Sequence, residues 1–564
     1  MRINAGKGNE ALLTKLSLDT FNNKYQHQDC ETWESLAHTL VADVCENNPG
    51  IMTKEDQKTL ARIITDMKFI PGGRYLYYAG RLRKFFNNCY LLRAEEDTRE
   101  DWAELSKKSE TCLMTGGGIG IDYSVYRPSG SLIHSTGGVA SGPLPKMLMI
   151  NEIGRNVMQG GSRRSAIYAS LNWQHDDISQ FLKVKNWDDL PAGETGYSFG
   201  DIRKQDFNFP CPLDMTNISV NYDTNWILEY FNSGEVGDVF KENCYQAART
   251  GEPGFSFNFF DKERETLRNA CTEVSSEDDS DVCNLGSVNL ARIDTVGELA
   301  TVVDLATRFL LCGTLRAELP YDKVYEVREK NRRLGLGIMG VHEWLLKRGY
   351  SYEVVPELHQ WLSTYKGVSD HVSKTCADRA GISVPVANRA VAPTGTIGML
   401  AATTTGIEPL YSVAYKRRYL TDGTKYKYQY EVDVTAQHMI EELGIDPDSI
   451  ETALSLANDV ERRIKFQADI QKYVDMSISS TVNLPAWGSS LNNEGTVPQF
   501  SETLAKYAKD LRGITFYPDG ARGGQPITTV SYSEAKDKLG EEFEENLVFN
   551  DACDITNKGG FCGS

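Results

Sequence analysis

Cys271 stands two residues after Asn269 and two before Glu273, in the stretch NACTEVSSEDDSDVCNLGSVNL that also holds Cys283. In an extended or finger-like loop, residues two apart point the same way. A thiol flanked by a carboxamide and a carboxylate could then carry out hydrogen-atom or proton chemistry on a polar substrate. A polar loop with a chance N-x-C-x-E fits these five residues equally well. A metal clip has little support. The chain has 12 cysteines and 8 histidines, yet no CxxC pair and no Cys/His group at zinc-finger spacing. Cys45, Cys244, Cys312 and Cys376 lie in helical patterns and read as small buried hydrophobes. Cys89, in FFNNCYLL, sits on an apolar, strand-like run. The acidic run SSEDDSD between Cys271 and Cys283 reads as a solvated connection.

Three further segments could hold an anion. MTGGGIGIDYS and STGGVASGP are dense in glycine, and QGGSRRSA sets Arg163 and Arg164 beside glycines. Glycine-rich turns before helices let the backbone approach phosphates. Neither glycine segment has the Walker pattern, and GGGIG lacks the full context of a dinucleotide fingerprint. In APTGTIGMLAATTTGIEPL, Thr394 and Thr396 could open a helix and aim hydroxyls at an anion; ordinary capping explains them as well.

These residues need a scaffold. Helical periodicity marks ETWESLAHTLVADVCENN and KEDQKTLARIITDMKFI, so residues 1–70 read as a helical region. From PGGR to about residue 530, helical patterns such as LPKMLMINEIGRNVMQ alternate with strand-like runs such as SAIYASLNW and RGITFY. That alternation predicts an α/β barrel or doubly wound sheet. Residues 531–564 turn acidic and then glycine-rich, and read as a mobile tail ending in Cys553 and Cys562. The 564 residues carry a net charge of −18, which argues against a nucleic-acid partner. No segment has the apolar length of a membrane span and the N-terminus has no secretory h-region, so a cytoplasmic protein is expected.

Taken in order, NNCYL, GGGIGI with RPSGSLIHSTGGVASGP, GGSRRSAIYASLNWQHDDI, NACTE, CNLGSVNL, NRRLGLGIMG, PTGTIG with TGIEP, and GITFYPDGARGGQP resemble the catalytic subunit of ribonucleotide reductases. The resemblance spans roughly four-fifths of the chain. It implies a ten-stranded α/β barrel with an internal finger loop over residues 71–530. It implies that Cys271 at the finger tip becomes a thiyl radical, with Glu273 as base and Asn269 holding the substrate hydroxyls. Cys89 and Cys283 would reduce the 2′ position and end as a disulfide. Cys553 and Cys562 would pass electrons from a thioredoxin- or glutaredoxin-like donor. Asn88, Pro393, Thr394, Gly395, Thr396 and Ile397 would hold the ribonucleotide. Asp97, Arg127, Arg163 and Arg164 would bind a deoxynucleotide or ATP effector at a homodimer interface. The ATP-cone that precedes many such barrels has no counterpart among the first seventy residues, so no dATP off-switch of that kind is expected.

The resemblance leaves the radical source open. Members served by a separate metal-containing subunit carry a Tyr-Tyr pair where GITFYPDG has Phe516 before Tyr517. Phenylalanine has no phenolic proton, which puts Tyr517 in doubt as a relay. The strand is more similar to the adenosylcobalamin-dependent members, and adenosylcobalamin is the favoured cofactor. A partner subunit with an unusual relay is the alternative; the glycyl-radical branch lacks its usual setting here. Rival readings are a non-catalytic nucleotide-binding homologue and a thiol redox sensor. No metal-ligand set is expected in the chain.

Overall fold

Five strands, Cys89–Leu92, Gly118–Asp122, Ile167–Asn172, Thr216–Tyr222 and Gly254–Phe257, lie side by side and parallel in chain order. The computed structural model describes residues 3–48, 50–134, 136–157, 165–206, 209–422, 425–521 and 527–543. Arg163, Arg164, Cys553 and Cys562 lie outside those described residues. A second parallel set faces the first. Asp281–Asn289 pairs with Leu334–Met339, and Thr481–Leu484 pairs with Gly513–Pro518. The gap between these two pairs is filled by segment 387–391. It bridges Leu336 through Arg389 on one side and Ile478 through Val391 on the other. Leu336 N–H donates to Asn388 O at 3.0 Å, and Ser479 N–H to Val391 O at 2.8 Å.

Each set therefore has five parallel members, and the two sets run in opposite directions. They meet antiparallel at two seams: Ile514 against Phe255, and Cys283 against Cys89. This is the ten-stranded α/β barrel implied by the resemblance. Its strands read as continuous apolar runs because helices cover them outside and side chains fill them inside; Asp281–Asn289 is buried at every position.

The helical coat follows from caps and periodicity. Val296–Arg316 starts at Thr295, whose hydroxyl accepts from Glu298 N–H, and it buries Leu299, Val302, Val303, Ala306 and Leu310. Arg99–Met114 starts at Thr98 in the same way. Thr224–Ser233 starts at Asp223 and stops at Gly234, whose φ of 71° suits glycine. Arg389, fully buried in the closing segment, is held by Asp370 (2.5 Å) and Asp475 (2.6 Å) and donates to Tyr473 O. A buried guanidinium with every neighbour an acceptor fixes where the barrel closes.

The N-terminal helices Lys15–Lys24, Trp33–Cys45 and Lys54–Thr65 do not stand apart. Trp33, Leu40 and Leu60 share one core with Phe309 and Leu310 of the barrel helix. The short strand Phe69–Pro71 then joins Asp281–Asn289 antiparallel. Among the described residues, no helix is long and apolar enough to cross a membrane.

Candidate active site

A hairpin rises inside the barrel. Leu267–Arg268 pairs antiparallel with Ser275–Ser276, and residues 269–274 form its tip. The tip is not extended, as the sequence pattern suggested. Thr272 N–H donates to Asn269 O at 2.9 Å, closing a tight turn, and Thr272 adopts φ 72°. Asn269 and Glu273 thus stand on opposite arms with Cys271 at the apex, and all three line one cavity. The convergence comes from the turn, not from the strand period.

Glycines on the barrel wall make room for the tip. A Cβ on Gly120 would collide with the Arg268 carbonyl, and one on Gly118 would lie 3.0 Å from Ala270 Cβ. GGGIGI therefore accommodates the finger, and Gly116 and Gly118 also line the larger cavity. Below the tip, the buried Arg268 guanidinium donates to Asn258 Oδ1 at 2.7 Å and to Arg512 O at 3.0 Å. Burial and the neighbouring Arg512 charge lower its pKa to about 9.

The acidic run is the clearest correction. It is not solvated. Asp281 is 0 % exposed and pairs with Arg333 at 2.6 Å, while Asn331 and Ser276 donate to the same carboxylate. Asp279 takes Lys108 and Lys323, each at 2.8 Å, and Asp278 takes Lys330 at 2.9 Å. Side-chain ion pairs satisfy these carboxylates as the chain passes from finger to strand, so burying them is tolerable.

The cavity above the tip is about 320 Å³. Cys89 and Cys283 are direct partners across the seam, and both are buried and unbridged. Burial raises both thiol pKa values; Glu273 adds to the effect at Cys89, while Arg333 opposes it at Cys283. Asn269 Nδ2 lies 2.9 Å from Cys89 Sγ, and its Oδ1 accepts from Val274 N–H at 2.9 Å. Cys89 Sγ lies 4.0 Å from Glu273 Oε1. Burial pushes the Glu273 carboxyl up to about 7, against the opposing hydrogen bond from Asn269. Its Oε2 is buried without a hydrogen-bond partner and the residue lines the cavity. An acid at neutrality, a half-exposed thiol and a facing dithiol make a site suited to proton and redox chemistry.

Asn88, Pro393, Thr394, Gly395, Thr396 and Ile397 line the same cavity. Thr394 takes φ 52° and accepts from Gly406 N–H at 2.8 Å. Its hydroxyl braces the loop, which leaves Thr396 as the hydroxyl without that duty. Asp97 and Arg127 form an ion pair on the outer surface, with Arg127 N–H also donating to Asp97 at 3.2 Å.

A second cavity of about 200 Å³ lies behind the tip, and Cys271 lines it too. Its wall includes Asn217, Ser219, Thr272, Ser479, Thr481, Thr515 and Tyr517. Phe516 packs into the outer core against Phe255 and Phe500, with ring centroids 5.9 and 4.8 Å away. Sequence reasoning missed this cavity and also Tyr25, Arg74 and Ser287 in the first one. Only PGGR, with a cation after two glycines, offered a signal for Arg74.

A family model described as "Ribonucleotide reductase, barrel domain" matches residues 87–209, 224–359 and 387–517. The vitamin B12-dependent ribonucleoside-diphosphate reductase of Mycobacterium tuberculosis (strain ATCC 25618 / H37Rv) is 27% identical over 561 residues, covering 91% of this chain and 77% of its own. The relative of the same name from Thermoplasma acidophilum is 25% identical over 543 residues, covering 86% and 67%. The class Id ribonucleotide reductase alpha subunit of Actinobacillus ureae has the same fold, with TM-score 0.70 at 16% identity over 91% of this chain and 98% of that one. The family expected from the ordered motifs is the one that matches, and the barrel, finger and facing thiols fall within its matched span. The chain belongs to the ribonucleotide reductase family, whose barrel domain it carries.

Proposed function

We propose that this protein is an oxidoreductase that converts ribonucleotides to deoxyribonucleotides, with Cys271 as the radical carrier. The observation that supports it most is that Cys271 lines two separate cavities while Cys89 and Cys283 face each other beside one of them.

In the larger cavity Cys271 takes the 3′ hydrogen of the ribose. Glu273, near neutrality, accepts the 3′-hydroxyl proton, and Asn269 holds the substrate hydroxyls. The 2′ C–O bond breaks and the oxygen leaves as water. Cys89 and Cys283 supply two electrons and two protons and become a disulfide, a new C–H bond forms at 2′, and Cys271 returns the hydrogen to 3′. Asn88 and residues 393–397 hold the nucleotide. Asp97 and Arg127 bind a deoxynucleotide or ATP effector at a homodimer interface; Arg163 and Arg164 belong to the same proposal but lie outside the described residues. Cys553 and Cys562, also outside them, re-reduce the dithiol from a thioredoxin- or glutaredoxin-like donor.

Adenosylcobalamin is the favoured cofactor. The smaller cavity suits the nucleoside portion of that group, because its lining carries the hydroxyls of Ser219, Thr272, Ser479, Thr481, Thr515 and Tyr517 and the carboxamide of Asn217. Asn217, Ser219, Thr481 and Tyr517 would hold it. When bound, it supplies the oxidising equivalent that removes hydrogen from Cys271. The relatives from M. tuberculosis and T. acidophilum are both named vitamin B12-dependent.

The test is turnover of a ribonucleotide by the purified protein with a dithiol and adenosylcobalamin. Deoxyribonucleotide without a second protein is the expected result. Product only when a metal-containing radical subunit is added overturns the cofactor choice. Appreciable product from Cys271→Ser overturns the radical assignment.

A further inference from the structure

The family match begins at residue 87, yet the larger cavity has a wall from far upstream. Helix Lys15–Lys24 lies across the short helix Gly395–Ala401 that carries the PTGTIG loop. Ser17 Oγ donates to Met399 O at 3.0 Å. Lys24, in the last turn, donates to Thr396 Oγ1 at 3.5 Å. Tyr25, the next residue, is 4 % exposed and lines the cavity together with Thr396. The helix is thus fixed at one end by Ser17 and presents its basic end at the cavity mouth.

The charges around that mouth frame the question. Among the described residues lining the cavity, Arg74 is the sole cation and Glu273 the carboxylate. Arg74 is already committed: its guanidinium donates to Thr115 O and to Tyr78 Oη at 3.0 Å, and lies over the Tyr78 ring at 4.8 Å. A nucleoside polyphosphate brings several negative charges to a chain whose net charge is −18. The buried, unpartnered Glu273 Oε2 marks the sugar end of the cavity, so the phosphates extend toward residues 393–397. Lys24 is exposed there, within hydrogen-bond reach of the loop hydroxyl.

We propose that Lys24 is a specificity-determining residue that recognises the outermost phosphate of the substrate. It supplies from the N-terminal helices a second positive charge beside the committed Arg74. A mobile ammonium suits a point contact to a phosphate oxygen, whereas the rigid Arg74 fork stays with its carbonyl. Thr396, whose hydroxyl accepts from Lys24, keeps its own O–H to donate to the phosphate. This assignment rests on the ribonucleotide reading above.

The experiment compares Lys24→Gln and Lys24→Arg with the unaltered protein in two readouts. In steady-state reduction, Lys24→Gln raises KM for the ribonucleotide about tenfold with kcat little changed, and Lys24→Arg recovers most of the loss. In equilibrium binding, with a saturating deoxynucleoside triphosphate present, Lys24→Gln lowers affinity for a nucleoside diphosphate about tenfold and leaves the unphosphorylated nucleoside unaffected. Unchanged diphosphate affinity in Lys24→Gln overturns the proposal. Equal weakening of nucleoside and diphosphate also overturns it, because that marks a structural role. If the unaltered protein binds diphosphate but reduces none, the ribonucleotide reading fails while the binding comparison still decides the role of Lys24.

Discussion

Cys89 and Cys283 are cross-strand partners at one of the two places where the barrel changes strand direction. Directly opposed residues of an antiparallel pair have Cα atoms about 4.5–5.5 Å apart, within the range that a disulfide spans. The dithiol can therefore close without moving the wall.

That geometry predicts a trapped product. Incubation with a ribonucleotide and cofactor but no added reductant should give no more than two turnovers per chain, one from Cys89 and Cys283 and one relayed from Cys553 and Cys562, and a Cys89–Cys283 linked peptide by mass spectrometry. Cys283→Ser should lose even the first turnover, at a stability loss of only about 1–2 kcal/mol. Absence of the Cys89–Cys283 linked peptide after turnover would contradict the assignment.

Glu273 predicts a pH profile. As a base it must be ionised, so kcat/KM should rise with pH through about 7, its raised pKa. Stability moves the other way. Between the ordinary 4.5 and about 7 the folded state holds a proton that the unfolded chain has released, so stability falls with rising pH across that window, by order 3 kcal/mol in full. Glu273→Gln should flatten both curves and lower the rate by about 10²–10⁴-fold. Initial rates across this pH range read the first effect; denaturant midpoints at pH 5 and pH 8 read the second.

Gly120→Ala tests the finger. The added methyl meets the Arg268 carbonyl, a backbone atom that cannot swing away. Overpacking should lower stability by about 1–3 kcal/mol, and a displacement of about 1 Å at Cys271 should lower turnover by about 10²-fold. Thermal melting and turnover measured on one preparation check both.

Asp281→Asn strands the 5 % exposed Arg333 side chain. Removing one member of a buried pair should cost about 3–5 kcal/mol, and a double change to Asp281→Leu with Arg333→Met should recover a large part. Equal destabilisation of the single and double variants would refute the coupling.

Tyr517→Phe separates the two radical sources. Tyr517 and Phe516 both line the small cavity, and the Phe516 ring packs against Phe500. With adenosylcobalamin as oxidant, the variant should need more cofactor but keep a kcat near that of the parent at saturating cofactor. Loss of kcat at saturating cofactor would place a tyrosyl relay at 517.

The five central residues were legible because order in the chain carried them: NNCYL, NACTE and CNLGSVNL keep their sequence across nearly two hundred positions. The strands were legible as apolar runs between helical patterns. The acidic run was misread because charge in sequence suggests water, and its cations, Lys108, Lys323, Lys330 and Arg333, come from distant helices and strands. The tip was misread because its turn depends on Thr272 taking a positive φ that threonine rarely adopts. Tyr25 and Lys24 were invisible for a plainer reason: nothing in a helix end announces which loop, some 370 residues on, it will touch.

Cys271 and its neighbour Ala270 line both cavities, so the finger tip is a partition whose reactive group is the Cys271 sulfur. On the proposed mechanism, oxidant and sugar would be kept in separate rooms and exchange only a hydrogen. A reactive species made on one side would not reach the nucleotide, and water released on the other would not quench its source. The partition also uncouples their histories: the walls of the rear room can be remodelled for a different oxidant while the ribose, the dithiol and Glu273 keep their positions.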